Sequence, residues 1–162
     1  MKLWSTEITD VKIIEPDVFY DERGYFSEVF NHTKFVQTVG LETTFCQINE
    51  SFSKEGTMRG LHLQQEPFAQ GKLVRVLSGK ILDVAVDCRL DSNTLGKHVS
   101  VELSSENKLQ LWIPKGFAHG FQVLSQTCLL NYQVDARYAP EYEVSIDCFD
   151  PELNISWDKS LP

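Results

Sequence analysis

The chain has 162 residues, 42% hydrophobic and 23% charged, which suits a single globular domain with a sizeable core. Its formal net charge of −8 excludes a general nucleic-acid or anionic-membrane binder, so an anionic ligand needs a local cluster of Arg and Lys. Cys46, Cys88, Cys128 and Cys148 are far apart with no C-x-x-C, which excludes a zinc ribbon and a disulfide framework. The N-terminus lacks the apolar run of a signal peptide, and no stretch nears the roughly 18 apolar residues of a membrane helix. These features predict a reduced, cytoplasmic protein.

In chain order, residues 7–20 carry short β-type runs, with Val11, Ile13 and Ile14 before Pro16. Asp21-Glu22-Arg23-Gly24 reads as a turn, with Gly supplying the unusual φ, and leads into an aromatic-rich strand from Tyr25 to Phe30. Asn31 to Gly40 is the one helical segment: Asn31 is an N-cap, Phe35 and Val39 lie i,i+4, and Gly40 is the stop. Phe45 to Ser51 alternates, which puts Gln47 and Asn49 on one face. Lys72–Leu77 and Lys80–Asp87 read as strands joined by a hairpin at Ser78-Gly79. In the second, Leu82, Val84 and Val86 form an apolar face, and Asp83 and Asp87 fall on the other. Further strands fit His98–Leu103, Leu109–Ile113, Phe121–Leu124 and Cys128–Val134. Short strands at roughly 8–12-residue spacing predict an all-β sandwich or barrel in one domain spanning residues 1–162.

The densest chemistry lies in Arg59-Gly60-Leu61-His62-Leu63-Gln64, closed by Gln70-Gly71-Lys72. On a strand, His62 and Gln64 share a face, and two cations flank the imidazole. That is a proton acceptor beside an anion site. Pro114-Lys115-Gly116-Phe117-Ala118-His119 has the form P-x-G-x-x-H and resembles the second cupin motif, which implies a double-stranded β-helix, or jelly roll, with one or two short helices. Metal-binding cupins use an H-x-H pair. Here His62 is followed by Leu63-Gln64, so the second histidine is missing, and a metal usually needs three or four protein ligands. We therefore expect no metal and no cofactor. His62 as base, Lys72 as cation and a phenol such as Tyr132 as acid suit proton abstraction beside a carbonyl, because the enolate needs a positive or hydrogen-bonding group at its oxygen.

These segments together resemble the dTDP-4-dehydrorhamnose 3,5-epimerase family of nucleotide-sugar epimerases, from about Asp10 to Trp157. The resemblance is carried by Asp21-Glu22-Arg23-Gly24-Tyr25-Phe26, Arg59 to Gln64, Gln70 to Val76, Asp83 to Asp87, Leu111 to Pro114 with Gly116 to Phe121, and Tyr138-Ala139-Pro140-Glu141. It implies that His62 is the catalytic base, that Lys72 stabilises the enolate oxygen and that Tyr132 is the acid on the opposite face. By the same resemblance Arg59 and Arg23 hold the diphosphate, and Gln47 and Glu28 lie near nucleotide and sugar. Tyr138 packs near the nucleoside, and His119 and Asp83 line the sugar site. Phe26, from the Arg23 motif, and Asn49, on the face of Gln47, complete the substrate-binding candidates. The resemblance also implies a metal-free homodimer in which Arg23 and Glu28 act in trans.

One departure concerns the group behind the base. Family members usually continue past the equivalent of Trp157 into an S-x-K-D segment whose Asp orients the catalytic His, whereas here Asp158-Lys159-Ser160-Leu161-Pro162 follows. Either another carboxylate such as Asp83 takes that place, or the base works without one. The leading expectation is an epimerase for a dTDP-linked 4-keto-6-deoxy-hexose, acting at C3, C5 or both. The alternatives are a 3,4-ketoisomerase and a non-catalytic sugar-nucleotide-binding cupin.

Overall fold

The structure, a computed structural model, describes residues 1–40 and 42–161. The chain runs through β1 (Lys2–Ser5), β2 (Lys12–Glu15), β3 (Val18–Asp21), β4 (Gly24–Ser27), α1 (His32–Val39), β5 (Gln47–Lys54) and β6 (Met58–Gln64). It continues through β7 (Lys72–Ser78), β8 (Lys80–Asp87), β9 (His98–Ser104), β10 (Gln110–Ile113), β11 (Phe117–Val123) and β12 (Thr127–Val134). A 3-10 turn (Pro140–Tyr142) then precedes β13 (Glu143–Ser145). One sheet has the order β1-β2-β10-β7-β12-β5, the second β13-β6-β11-β8-β9, and β3 and β4 form a separate hairpin. Every ladder is antiparallel. This is a cupin-type jelly roll.

The core lies between the two large sheets. Val74, Val76, Leu111, Ile113 and Leu130 point into it from the first, and Ile81, Ala85, Leu103, Phe117 and Phe121 from the second. Alternation along each strand supplies these side chains, and their burial is the main favourable term holding the sheets together. Strand β8 shows the second use of alternation. Its Val84 and Val86, with Leu82 beside them, pack on the far side of the sheet against Leu61, Ala118 and Trp157. The segment after β13 thus covers the second sheet from outside, and the Gln122 side chain pins it through Asp158 N and O, both at 2.8 Å. Both faces of β8 are covered, and Asp83 and Asp87 are fully buried.

The hairpin expected at Ser78-Gly79 is a corner instead. β7 pairs with β10 and β12, whereas β8 pairs with β11 and β9, so the chain changes sheets at this point. Gly79 has φ +84, and a Cβ there would overlap the Thr127 carbonyl. The turn chemistry is what a hairpin would show, and the partner strands come from elsewhere in the chain.

The short helix follows its sequence signals. Asn31 Oδ1 accepts from Lys34 N at 3.1 Å, and Gly40 at φ 79 closes the C-terminus. Such an N-cap is worth about 1 kcal/mol. Eight residues cannot hold a helix unaided, and the tertiary support is Phe35, fully buried with Ile14, Leu73 and Trp112 on the outer face of the first sheet. The β3–β4 hairpin turns tightly through Glu22 and Arg23, with Gly24 at φ 134, as the sequence predicts.

Candidate active site

At one end of the sandwich a cleft of about 480 Å³ opens between the sheets, a volume in the range of small-molecule sites. Its walls come from both sheets. β6 contributes Met58, Arg59, Gly60 and His62, and β11 contributes His119, Gly120 and Phe121. From the opposite sheet come Ser51 on β5, Lys72 at the start of β7, and Tyr132 on β12. The imidazole and the phenol therefore stand on opposed walls.

Arg59 and His62 are three residues apart, and on a regular strand an odd spacing sends two side chains to opposite faces. Both nevertheless line the cleft. The ladder pairs His62 with His119 and Arg59 with Phe121, so three steps on β6 match two on β11, and the extra residue makes a β-bulge. Two glycines permit it. A Cβ on Gly60 (φ +105) would lie 2.5 Å from the Gly120 Cα, and a Cβ on Gly120 would lie 2.6 Å from the Arg59 carbonyl oxygen. Beyond the bulge the alternation resumes as expected: Leu61 and Leu63 pack into the outer cluster, and His62 and Gln64 turn the other way. Gln64 is a tie rather than a ligand candidate, since its amide donates to the Phe68 and Arg137 carbonyls and accepts from Ala139 N at 2.8 Å.

The electrostatics are set by burial. Lys72 is 8% exposed, and its Nζ approaches the His62 carbonyl at 3.4 Å. Desolvation pulls its pKa down to about 8, against the nearby charges of Asp83 and Glu143. Burial likewise pushes the Tyr132 phenol up, opposed by the polar Asn49 side chain and the charge of Arg59. Both effects keep a proton-transfer group in play: an ammonium that titrates near neutral pH and a phenol that stays protonated. Arg59 donates from Nε to Ser53 Oγ at 3.0 Å, which fixes the guanidinium at the cleft wall.

The remaining candidates divide. Gln47 and Asn49 sit on the inward face of β5 and bond each other at 2.7 Å, with Asn49 opposite Tyr132 in the ladder. Tyr138 is half exposed beyond β12, close enough for its phenol to act on that of Tyr132. Asp83 does not line the cleft. It is fully buried behind His119, whose Nε2 is 2.9 Å from its Oδ1. It is therefore also not the carboxylate behind His62, because the strand pairing delivers it to the other histidine. Arg23, Phe26 and Glu28 are not in this chain's own cleft: Arg23 pairs with Asp21 at the hairpin tip, Phe26 is 69% exposed, and Glu28 is paired with Lys34. Sequence reasoning missed Ser51, Met58, Gly120 and Glu143. Ser51 continues the Gln47/Asn49 alternation and was legible there; Glu143, outside the cleft lining but acting on Lys72 through its charge from β13, carried no local signal. Among the described residues no three His, Cys, Asp or Glu side chains come together to hold a metal ion.

An imidazole from one sheet, a phenol from the other and a buried ammonium line one cleft in a cupin-type barrel. The family model for dTDP-4-dehydrorhamnose 3,5-epimerase matches residues 5–162. The dTDP-4-dehydrorhamnose 3,5-epimerase of Shigella flexneri is 51% identical over 162 residues, all of this chain and 90% of that protein. That of Methanothermobacter thermautotrophicus is 51% identical over 152 residues, 94% of this chain and 81% of the relative. The crystal structure of the dTDP-6-deoxy-D-glucose-3,5-epimerase of Legionella pneumophila, in complex with dTDP-4-keto-L-rhamnose, superposes with a TM-score of 0.94. It is 49% identical, over 96% of this chain and 82% of that one. The chain belongs to the dTDP-4-dehydrorhamnose 3,5-epimerase family, and it is a carbohydrate epimerase, an isomerase.

Proposed function

We propose that the chain, acting as a single domain over residues 1–162, inverts C3 and C5 of a dTDP-linked 4-keto-6-deoxy-hexose. The observation that carries this reading is the placement of His62 and Tyr132 on opposed walls with Lys72 beside them. His62 takes the proton from the carbon next to the carbonyl, and the C–H electron pair becomes the enolate double bond as the carbonyl oxygen gains charge. The Lys72 ammonium donates to that oxygen, the kind of preorganised stabilisation that contributes most in a site shielded from water. Tyr132 then delivers its proton to the other face of the same carbon, restoring the ketone with inverted configuration. His62 ends as an imidazolium and Tyr132 as a phenolate, and loss of one proton to solvent and gain of another from it reset the pair. A rotated sugar presents the second carbon to the same pair. Arg59 holds the diphosphate, with Gln47, Asn49, His119 and Tyr138 around nucleoside and sugar.

The working unit is a homodimer, with Arg23, Phe26 and Glu28 reaching the partner's cleft. Two features support this. The β3–β4 hairpin exposes Phe19, Tyr20, Tyr25 and Phe26, and the outer face of β5, an edge strand, exposes Ile48 and Phe52. Exposed apolar groups concentrated on two such elements mark an interface. No helix among the described residues is long and apolar enough to cross a membrane, and the four cysteines are free, in line with a cytoplasmic site of action.

Proton NMR of the 4-keto sugar nucleotide in D₂O tests the reaction, because exchange at C3 and at C5 is read separately. We expect both protons to exchange with wild type and neither with His62→Ala. Equal rates for the two proteins refute the mechanism.

A further inference from the structure

Arg75 follows Lys72 on β7 by three residues, and this odd spacing sends it to the opposite face of the sheet, away from the cleft. There it lies beneath the β3–β4 hairpin and lines a cavity of about 80 Å³ with Tyr25, Ser27, Ser105, Lys108 and Gln110. The guanidinium is half-buried. Burial lowers its pKa, and the ionisable group acting against that is the Tyr25 phenol rather than a carboxylate. Among the described residues Arg75 forms no ion pair, and neither does Lys108. A partly desolvated cation is costly unless an anion or hydrogen-bond acceptors meet it. Here two cations share one cavity in a chain whose net charge is −8.

The cavity is also preorganised. Lys108 Nζ sits 4.0 Å from the Tyr25 ring centroid and donates one hydrogen bond to the Ser105 carbonyl at 2.9 Å, which leaves two of its three donors. The loop that carries Lys108 is held by Asn107, whose Oδ1 accepts from Ser104 N and Leu109 N, each at 3.0 Å. Gln110 is already committed to the Val29 carbonyl at 2.6 Å. The Ser27 hydroxyl already donates to the Asp17 carbonyl at 2.8 Å and that of Ser105 to the Gly79 carbonyl at 3.5 Å, so what remains around the space is a planar guanidinium fork, an ammonium and the Tyr25 hydroxyl. That set suits the several acceptor oxygens of one small oxyanion. Its volume is far below that of the 480 Å³ cleft, so a nucleotide sugar belongs in the cleft and not here.

We propose that this cavity is a second anion site, which binds one phosphate-sized oxyanion between β7, the β9–β10 loop and the β3–β4 hairpin. The bound ion clamps the hairpin to the barrel. Resting on the dimer described under the proposed function, the clamp orients Arg23 and Phe26 and so sets affinity for the nucleotide sugar.

Inorganic phosphate is the probe, titrated in phosphate-free buffer by calorimetry and by thermal melting, where binding to the native state raises Tm with ligand concentration. Wild type and Arg59→Ala bind phosphate equally well, because Arg59 belongs to the cleft. Arg75→Met binds about tenfold or more weakly, the loss of a charge-assisted hydrogen bond. Lys108→Gln, in the β9–β10 loop, also binds more weakly, with folding checked by its melt in phosphate-free buffer. No phosphate binding by wild type, or binding lost in Arg59→Ala and kept in Arg75→Met or Lys108→Gln, overturns the site. Adding dTDP to phosphate-loaded enzyme distinguishes free phosphate from a nucleotide's diphosphate. Both ligands bind together if the site is separate, and displacement of phosphate by dTDP overturns it. In turnover, phosphate lowers KM for the sugar nucleotide in wild type and leaves KM of Arg75→Met unchanged; an equal response in both overturns the clamp. Phosphate binding needs no turnover, so failure of the epimerase reading leaves the binding test standing.

Discussion

His119 stands directly opposite His62 in the β6–β11 ladder, and it is His119, through Nε2 at 2.9 Å, that takes the buried carboxylate of Asp83. The two imidazoles thus share a cleft wall with different support. The Asp83 charge also acts on Lys72, where it opposes the pull of burial. One carboxylate therefore holds a cleft histidine in place and helps keep the neighbouring lysine charged.

Asp83→Asn removes that charge but keeps a side chain of the same shape. We expect the Lys72 pKa to fall further below about 8, so the alkaline limb of the kcat/KM profile moves to lower pH. A full pH–rate profile of the variant is the measurement, and an unmoved limb means that Asp83 does not act on Lys72.

Lys72 itself sets two pH dependences. In the proposed reaction its cation stabilises the enolate, so we expect kcat/KM of wild type to decline as pH rises through about 8 and Lys72→Arg, which stays charged, to move that decline upward. Stability runs the other way. With the folded pKa near 8 and an unfolded lysine at about 10.4, the unfolded chain binds more protons between those values, so the lysine's effect on stability improves as pH rises through this window. Urea melts from pH 7 to 10 show that rise in wild type and lose it in Lys72→Met. Parallel profiles for the two proteins contradict the assignment.

Gly120→Ala places a methyl group 2.6 Å from the Arg59 carbonyl, against backbone that cannot swing aside. Overpacking of this kind costs about 1–3 kcal/mol. Because the strain falls on the bulge that brings Arg59 and His62 to one face, kcat/KM drops by more than the stability loss explains. Denaturant melts combined with kinetics well below the melting range separate the two effects. A variant with wild-type stability and rate shows that the close contact is not needed.

The proposed in-trans role of Arg23 is tested by a mixing experiment. Arg23→Ala and His62→Ala homodimers are each impaired, but a heterodimer of the two rebuilds one intact site from the His62 of one subunit and the Arg23 of the other. Subunit exchange should therefore restore activity that neither parent has. If the mixture is no more active than the average of its parents, Arg23 serves its own chain.

Strand and helix periodicity were readable residue by residue. The inward face of Gln47 and Asn49, the cap at Asn31, the stop at Gly40 and the turn closed by Gly24 depend on near neighbours, and each stands as the pattern predicts. The ordered motifs around His62, Lys72 and Tyr132 added the family, because each carries residue types that its chemistry needs. What failed was pairing. Ser78-Gly79 looks the same whether the flanking strands join each other or diverge into two sheets, and the deciding contacts lie more than thirty residues away in sequence on β10, β11 and β12.

The same distinction applies to the segment from Arg59 to Gln64. By itself, the sequence determined that an imidazole and an arginine lie on one β-strand and that a lysine follows shortly after it, since that follows from covalent order and strand periodicity. Tertiary structure decided the rest. The bulge against Gly120 turned Arg59 to the side of His62, and the β8–β11 ladder handed Asp83 to His119. The first sheet brought Lys72 and Tyr132 across the cleft from His62, and burial between the sheets shifted the lysine's ionisation. Register and burial are properties of packed sheets, because they depend on which distant strand lies alongside. No local stretch of sequence carries them.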